Sequence, residues 1–175
     1  MRSNSSPSFM HSAHRGFTLI EVLISIVVLG IALLGLAALQ VRAMAAGTST
    51  KNRLVATQEA YEMVDRMRAN QTAIPGGSYN LGAAISAPAC SIYPGTGCTN
   101  TVLAANDLFT WNTELAANLP SGQGVVCITS TPAAGTGVAT PGCDGVGTQY
   151  VVKIWWLDDK TAGGALQLFY TLVRP

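Results

Sequence analysis

The chain has 175 residues, of which 49% are hydrophobic and only 11% charged, with a formal net charge of +1. That length holds one domain plus an anchor, and nothing in the near-zero charge points to the strongly basic surface on which nucleic-acid binding depends. With so few charges the surface is largely neutral polar or apolar, which suits a subunit packed against copies or relatives of itself.

Residues 1–16 (MRSNSSPSFMHSAHRG) are Ser-rich, carry no acid and show no periodic pattern. Arg2 and Arg15 precede the apolar run and place this end in the cytoplasm by the positive-inside rule. His11 and His14 add positive charge there and do not form a metal pair. Without these 16 residues the chain keeps 8 of its 10 basic residues against 9 acids, a net charge of minus one.

From Val22 to Leu39 there are 18 residues without a charge, about 27 Å of α-helix and close to the thickness of a bilayer's hydrocarbon core. Glu21 stands at the amino-terminal edge of this run. An ionised side chain held in lipid costs on the order of 3 kcal/mol and calls for a partner. A cut between Gly16 and Phe17 creates one, an α-amine four residues from Glu21 and one helical turn away. The competing reading is an ordinary secretory signal cut at Ala43-Met44-Ala45, with the whole run discarded. The run is longer than a usual signal core, and on that reading Glu21 has no purpose.

Arg15, Gly16 and then Phe17-Thr18-Leu19-Ile20-Glu21-Val22-Leu23-Ile24 closely resemble, in order and spacing, the class III signal of type IV prepilins and type II secretion pseudopilins. The resemblance implies that a prepilin peptidase cuts after Gly16, that Phe17 becomes an N-methylated first residue, and that Glu21 helps to add the subunit to a growing fibre. Gly30 falls where pilin helices carry a helix-loosening glycine, whereas Ala38 stands where many major pilins have proline. Leu33-Leu34-Gly35-Leu36-Ala37-Ala38-Leu39-Gln40, Asp107-Leu108 followed by Trp111, and Leu119-Pro120-Ser121-Gly122 are similar to the PilV group of minor pilins.

Beyond Leu39 the helical pattern continues, because residues 40–70 contain no proline and a single glycine, Gly47. Leu54, Thr57, Tyr61, Val64 and Met67 form an amphipathic stripe, with Glu62 and Arg66, and Asp65 and Arg68, as surface pairs. One helix from Phe17 to Asn70 follows, 54 residues and roughly 80 Å long if straight. The polar block from Gly47 to Arg53 marks the handover from anchor to head, and Pro75-Gly76-Gly77 ends the helix.

Residues 75–106 are poor in charge and rich in Gly, Ala, Pro and Ser, a long loop that needs pinning. Cys90, Cys98, Cys127 and Cys143 lie beyond the apolar helix, with spacings C-x7-C and C-x15-C that lack the tight pairs of a zinc site. Disulfides in an oxidising compartment follow. Of three connectivities the sequence-local one, Cys90 with Cys98 and Cys127 with Cys143, is favoured because each pair brackets a Gly/Pro/Thr-rich loop.

Asn106 or Asp107 caps a short helix carrying Leu108, Trp111, Leu115 and Leu119 and stopped by Pro120, with Trp111 as a core anchor. Three β-branched and aromatic runs then read as strands, Gly124 to Thr129, Gln149 to Leu157 and Ala165 to Val173, the last two joined by a turn over Asp158 to Gly164. Val152, Ile154 and Trp156 share one face, as do Leu166, Leu168, Tyr170 and Leu172 on the next strand. Trp155 points the other way and is expected to make a surface contact.

The expected fold is α+β, a long N-terminal α-helix with a transmembrane and an amphipathic half packed on a small antiparallel sheet, as in type IV pilins. The expected divisions are a cleaved leader (1–16), a transmembrane and fibre-core helix (17–39), an amphipathic helix (40–70) and a periplasmic or extracellular head with disulfide-stapled loops (71–175). No catalytic constellation, cofactor pattern, phosphate loop or metal-ligand spacing is present in the sequence, so the expected role is structural and not enzymatic. By the resemblance the chain is a minor pilin, held in the bacterial inner membrane through residues 17–39 with its N-terminus cytoplasmic and head periplasmic, then placed in the fibre or at its tip. Its implied partners are the prepilin peptidase, other minor pilins, the major pilin and the inner-membrane assembly platform, with no nucleic acid. Two alternatives stay open: a type II secretion minor pseudopilin, and an adhesin or DNA-uptake subunit.

Overall fold

The computed structural model describes residues 16–80, 97–158 and 164–174. In chain order the elements are helix α1 (Leu19–Ala69), a 3-10 turn (Gln71–Ala73), helix α2 (Asn100–Asn118) and strands β1 (Gln123–Ile128), β2 (Tyr150–Trp156) and β3 (Gln167–Val173). The chain divides into two compact units, residues 1–44 and residues 45–175. The first contains the apolar part of α1 and the second is the head.

The head is an α+β unit. Its sheet has the order β1-β2-β3 and is antiparallel throughout, with Val126 opposite Val152 and Ile154 opposite Phe169. The main core lies between the sheet and two helices, and is built from Ala56, Ala60, Met63, Val64 and Met67 of α1, Leu108, Trp111 and Leu115 of α2, and Val152, Ile154 and Trp156 of β2.

The buried face of α1 differs from the expected stripe. Leu54 and Tyr61 are exposed, and the face turned inward is Asn52, Ala56, Glu59, Ala60, Met63, Val64 and Met67. Val64 and Met67 of that stripe are buried as expected, together with Met63, while Leu54 and Tyr61 give up inner positions to the small residues Ala56 and Ala60.

α2 begins earlier than the sequence indicates, so residues 100–105 belong to a helix and not to the preceding loop. The Thr99 side chain, at an extended backbone, caps it by accepting from Val102 N at 3.3 Å. The helix ends before Pro120, as expected, with Leu119 N donating to the Leu115 carbonyl at 3.0 Å. Gly124 lets α2 lie against β1: a Cβ there would meet the Trp111 ring at 2.3 Å.

The second face of the sheet is also covered. Val125, Cys127 and Trp155 form a separate apolar cluster with Cys143, Leu166 and Leu168. Trp155 is therefore fully buried, and not the surface contact expected of it. The covering layer comes from the excursion between β1 and β2. The Cys127–Cys143 disulfide, with Cα atoms 6.1 Å apart, ties that excursion to the C-terminal end of β1. Lys153, also fully buried, reaches from β2 and donates to the carbonyls of Ala134, Pro141 and Gly142 at 2.9, 2.9 and 3.1 Å. Gly142 sits at φ 63°, and a Cβ there would meet the Ala134 carbonyl carbon at 2.6 Å, so glycine is required where the two arms of the excursion meet. On β3 the shared face of Leu168, Tyr170 and Leu172 lies on this outer side, while Phe169 and Val173 pack on the main core.

Cys98 is disulfide-bonded. Cys90, residues 1–15 of the expected leader, most of the turn expected between the last two strands and half of the predicted connecting loop lie outside the described residues.

Candidate functional site

The residues singled out at the front of the chain lie just before α1 and on its first turn. Gly16 and Phe17 precede the helix, and Phe17 is 83% exposed. The Thr18 carbonyl accepts from Glu21 N at 3.1 Å and Val22 N at 3.3 Å, which opens the helical ladder. Glu21 is the acid of that turn, where the unpaired N–H groups of a helix favour a carboxylate. Ser25 Oγ donates to the Glu21 carbonyl at 2.7 Å one turn on. Among the described residues nothing bonds to the Glu21 carboxylate itself.

From Val22 onward this part of α1 is apolar on every side. Val22, Leu29, Ile31, Leu34 and Val41 are each about half or more exposed, and none of the most apolar 18-residue stretch is buried. A helix oily all round with nothing packed on it suits lipid or the core of a helical assembly. By length and composition it is sufficient to cross a membrane. Gly30 and Gly35 lie inside the helix, which runs through both.

In the head, polar groups cluster at two places that the sequence pattern did not reveal. Asp158, at the end of β2, accepts from Ser49 Oγ (2.8 Å), Asn52 Nδ2 (3.1 Å) and Trp156 Nε1 (2.7 Å). Burial pushes the Asp158 carboxyl up, but these three donors outweigh it and hold the group below its ordinary range. The second cluster joins α1 to α2. Arg66 bridges Glu62 and Glu114, and the Asp107 carboxylate accepts from Tyr79 Oη at 2.6 Å. Burial raises both Glu59 and Asp107 above ordinary carboxylate values, and burial with the Asp107 bond raises Tyr79. Glu62 with Arg66 and Asp65 with Arg68 form the ion pairs that their spacing predicts.

The buried polar residues hold elements together: Trp111 Nε1 donates to the Glu59 carbonyl at 3.0 Å, and Tyr150 Oη to the Ile74 carbonyl at 3.0 Å.

Two family models match adjoining parts of the chain. Residues 11–37 match the prokaryotic N-terminal methylation motif, and residues 38–109 match the family described as type IV pilin Tt1218. The resemblance drawn from the residues around Gly16 is thereby borne out at the level of the type IV pilin family, whose members are structural proteins. Neither the curated proteins nor the solved structures contain a match.

Proposed function

We propose that this type IV pilin-like chain is a minor pilin, cut after Gly16 by a prepilin peptidase, N-methylated at Phe17 and assembled with other pilins into, or at the base or tip of, a fibre. The observation that carries the proposal is a methylation motif leading without interruption into a pilin-family segment, on a helix whose apolar first half is exposed among the described residues.

The energetics fit this role. Leaving the bilayer would expose about 20 apolar residues to water, but a bundle of the same helices offers an equally apolar surrounding. Glu21, with no bonded partner among the described residues, gains a counter-charge there from the α-amine of its own or a neighbouring chain. Assembly thus acquires a direction without an active site. The likeness of Leu33 to Gln40 and of Leu119-Pro120-Ser121-Gly122 to the PilV group supports a minor subunit that primes assembly, with roles in adhesion and twitching motility. The prepilin peptidase, other minor pilins, the major pilin and the inner-membrane platform are its partners on this reading.

Deletion of the chain tests the assignment. Loss of surface fibres with normal enzyme secretion is the expected result. Normal fibres with lost secretion overturn it in favour of a pseudopilin.

A further inference from the structure

The contact between α1 and α2 gathers three carboxylates and one guanidinium. Glu59 and Glu62 come from α1 and Glu114 from α2, and one oxygen of each lies within 4.8 Å of the others. Arg66 Nη2 holds Glu62 Oε1 at 2.5 Å and Glu114 Oε2 at 2.7 Å. Glu59 is left over. It is only 6% exposed; its Oε1 accepts from Asn118 Nδ2 at 2.9 Å, while Oε2 is buried with no hydrogen-bond partner among the described residues.

An orphan oxygen in such a place is costly in either protonation state: ionised, its nearby counter-charge is Arg66, which is already bonded to Glu62 and Glu114, and protonated it has no hydrogen-bond partner among the described residues. Three ionised carboxylates against one guanidinium also leave two negative charges uncompensated. We infer that Glu59, Glu62 and Glu114 form a binding site for a hard divalent cation, with calcium as the best match.

The donor set and the spacing both favour calcium. Carboxylate oxygens suit hard cations, and two oxygens bound to one calcium at about 2.4 Å lie up to about 4.8 Å apart. Magnesium demands a tighter and more regular shell. Glu62 is exposed and can adjust. Competition with Arg66 for Glu62 and Glu114 keeps the affinity weak, about 0.1–1 mM as in extracellular calcium modules. Sequence spacing hides the site because its ligands come from two helices 52 residues apart at Glu62 and Glu114. The inference rests on the pilin reading only for the compartment that supplies the ion.

Terbium luminescence on the processed full chain in detergent tests it, because Trp111, bonded to the Glu59 carbonyl, is placed to sensitise the ion. We expect saturable emission displaced by calcium, and a thermal midpoint raised by roughly 3–6 °C in saturating calcium. Glu59→Gln and Glu114→Gln should each weaken both effects at least tenfold. Glu114 is partly exposed, so Glu114→Gln decides the matter should Glu59→Gln fail to fold. No saturable emission, no calcium shift in the wild-type chain, or emission that survives in a folded variant overturns the site. An isosteric Glu59→Gln that matches the calcium-loaded midpoint, with no calcium response in the wild type, identifies a proton as the neutralising partner and also overturns it.

Discussion

Glu21 and Lys153 are charges in apolar surroundings, and they are compensated in opposite ways. Lys153 finds its partners within the head: three backbone carbonyls converge on its ammonium, where burial otherwise depresses its proton affinity. Lys153→Met removes the donor and strands these carbonyls. We expect a loss of about 2–3 kcal/mol, or roughly 10 °C in the melting midpoint of the head; a midpoint unchanged within error would show the lysine to be dispensable. Glu21 has no such partner among the described residues, and on the proposed reading acquires one only on assembly. Glu21→Ala should be processed normally yet enter fibres at a level reduced about tenfold or more, since 1.4 kcal/mol is a factor of ten and the unpaired charge costs more than that. Quantitative immunoblotting of sheared fibres measures this, and wild-type incorporation would remove the charge-pairing argument.

Among the elements, the end of β2 is clamped to α1 through Asp158. Because its carboxyl sits below the ordinary value of 3.8, the stability it contributes is complete above that pH and disappears as acid passes through the lower folded-state value. Asp158→Asn should lower stability by about 1–2 kcal/mol at pH 7 and flatten the dependence of the urea midpoint below about pH 4. A variant whose acid profile retraces the wild type would contradict the clamp. The strands were legible in the sequence because β-branched and aromatic runs are bounded by turn residues. Three features were not. The start of α2 depends on a Thr99 cap embedded in a stretch that otherwise reads as loop. The inner face of α1 depends on Ala56 and Ala60, whose value lies in being small and not in being hydrophobic. The burial of Trp155 depends on the excursion held over the sheet by Cys127–Cys143 and Lys153, a long-range cover that local alternation cannot report.

At the scale of the molecule, the two units have different physical requirements. The described part of residues 45–175 buries apolar side chains in two clusters on either face of a sheet. Among the described residues, nothing in the most apolar stretch of α1, within residues 1–44, is buried. The motif around Gly16 was readable from sequence because it is one linear stretch, and the match over residues 11–37 agrees with it. The calcium site proposed above was not, because it exists only once two helices meet. The central claim is that the apolar helix is retained and that processing creates the amine facing Glu21. Mass spectrometry of the mature chain purified from membranes tests this most directly. The account predicts a first residue of N-methylated Phe17, whereas a mature chain starting near Ala46 would contradict it.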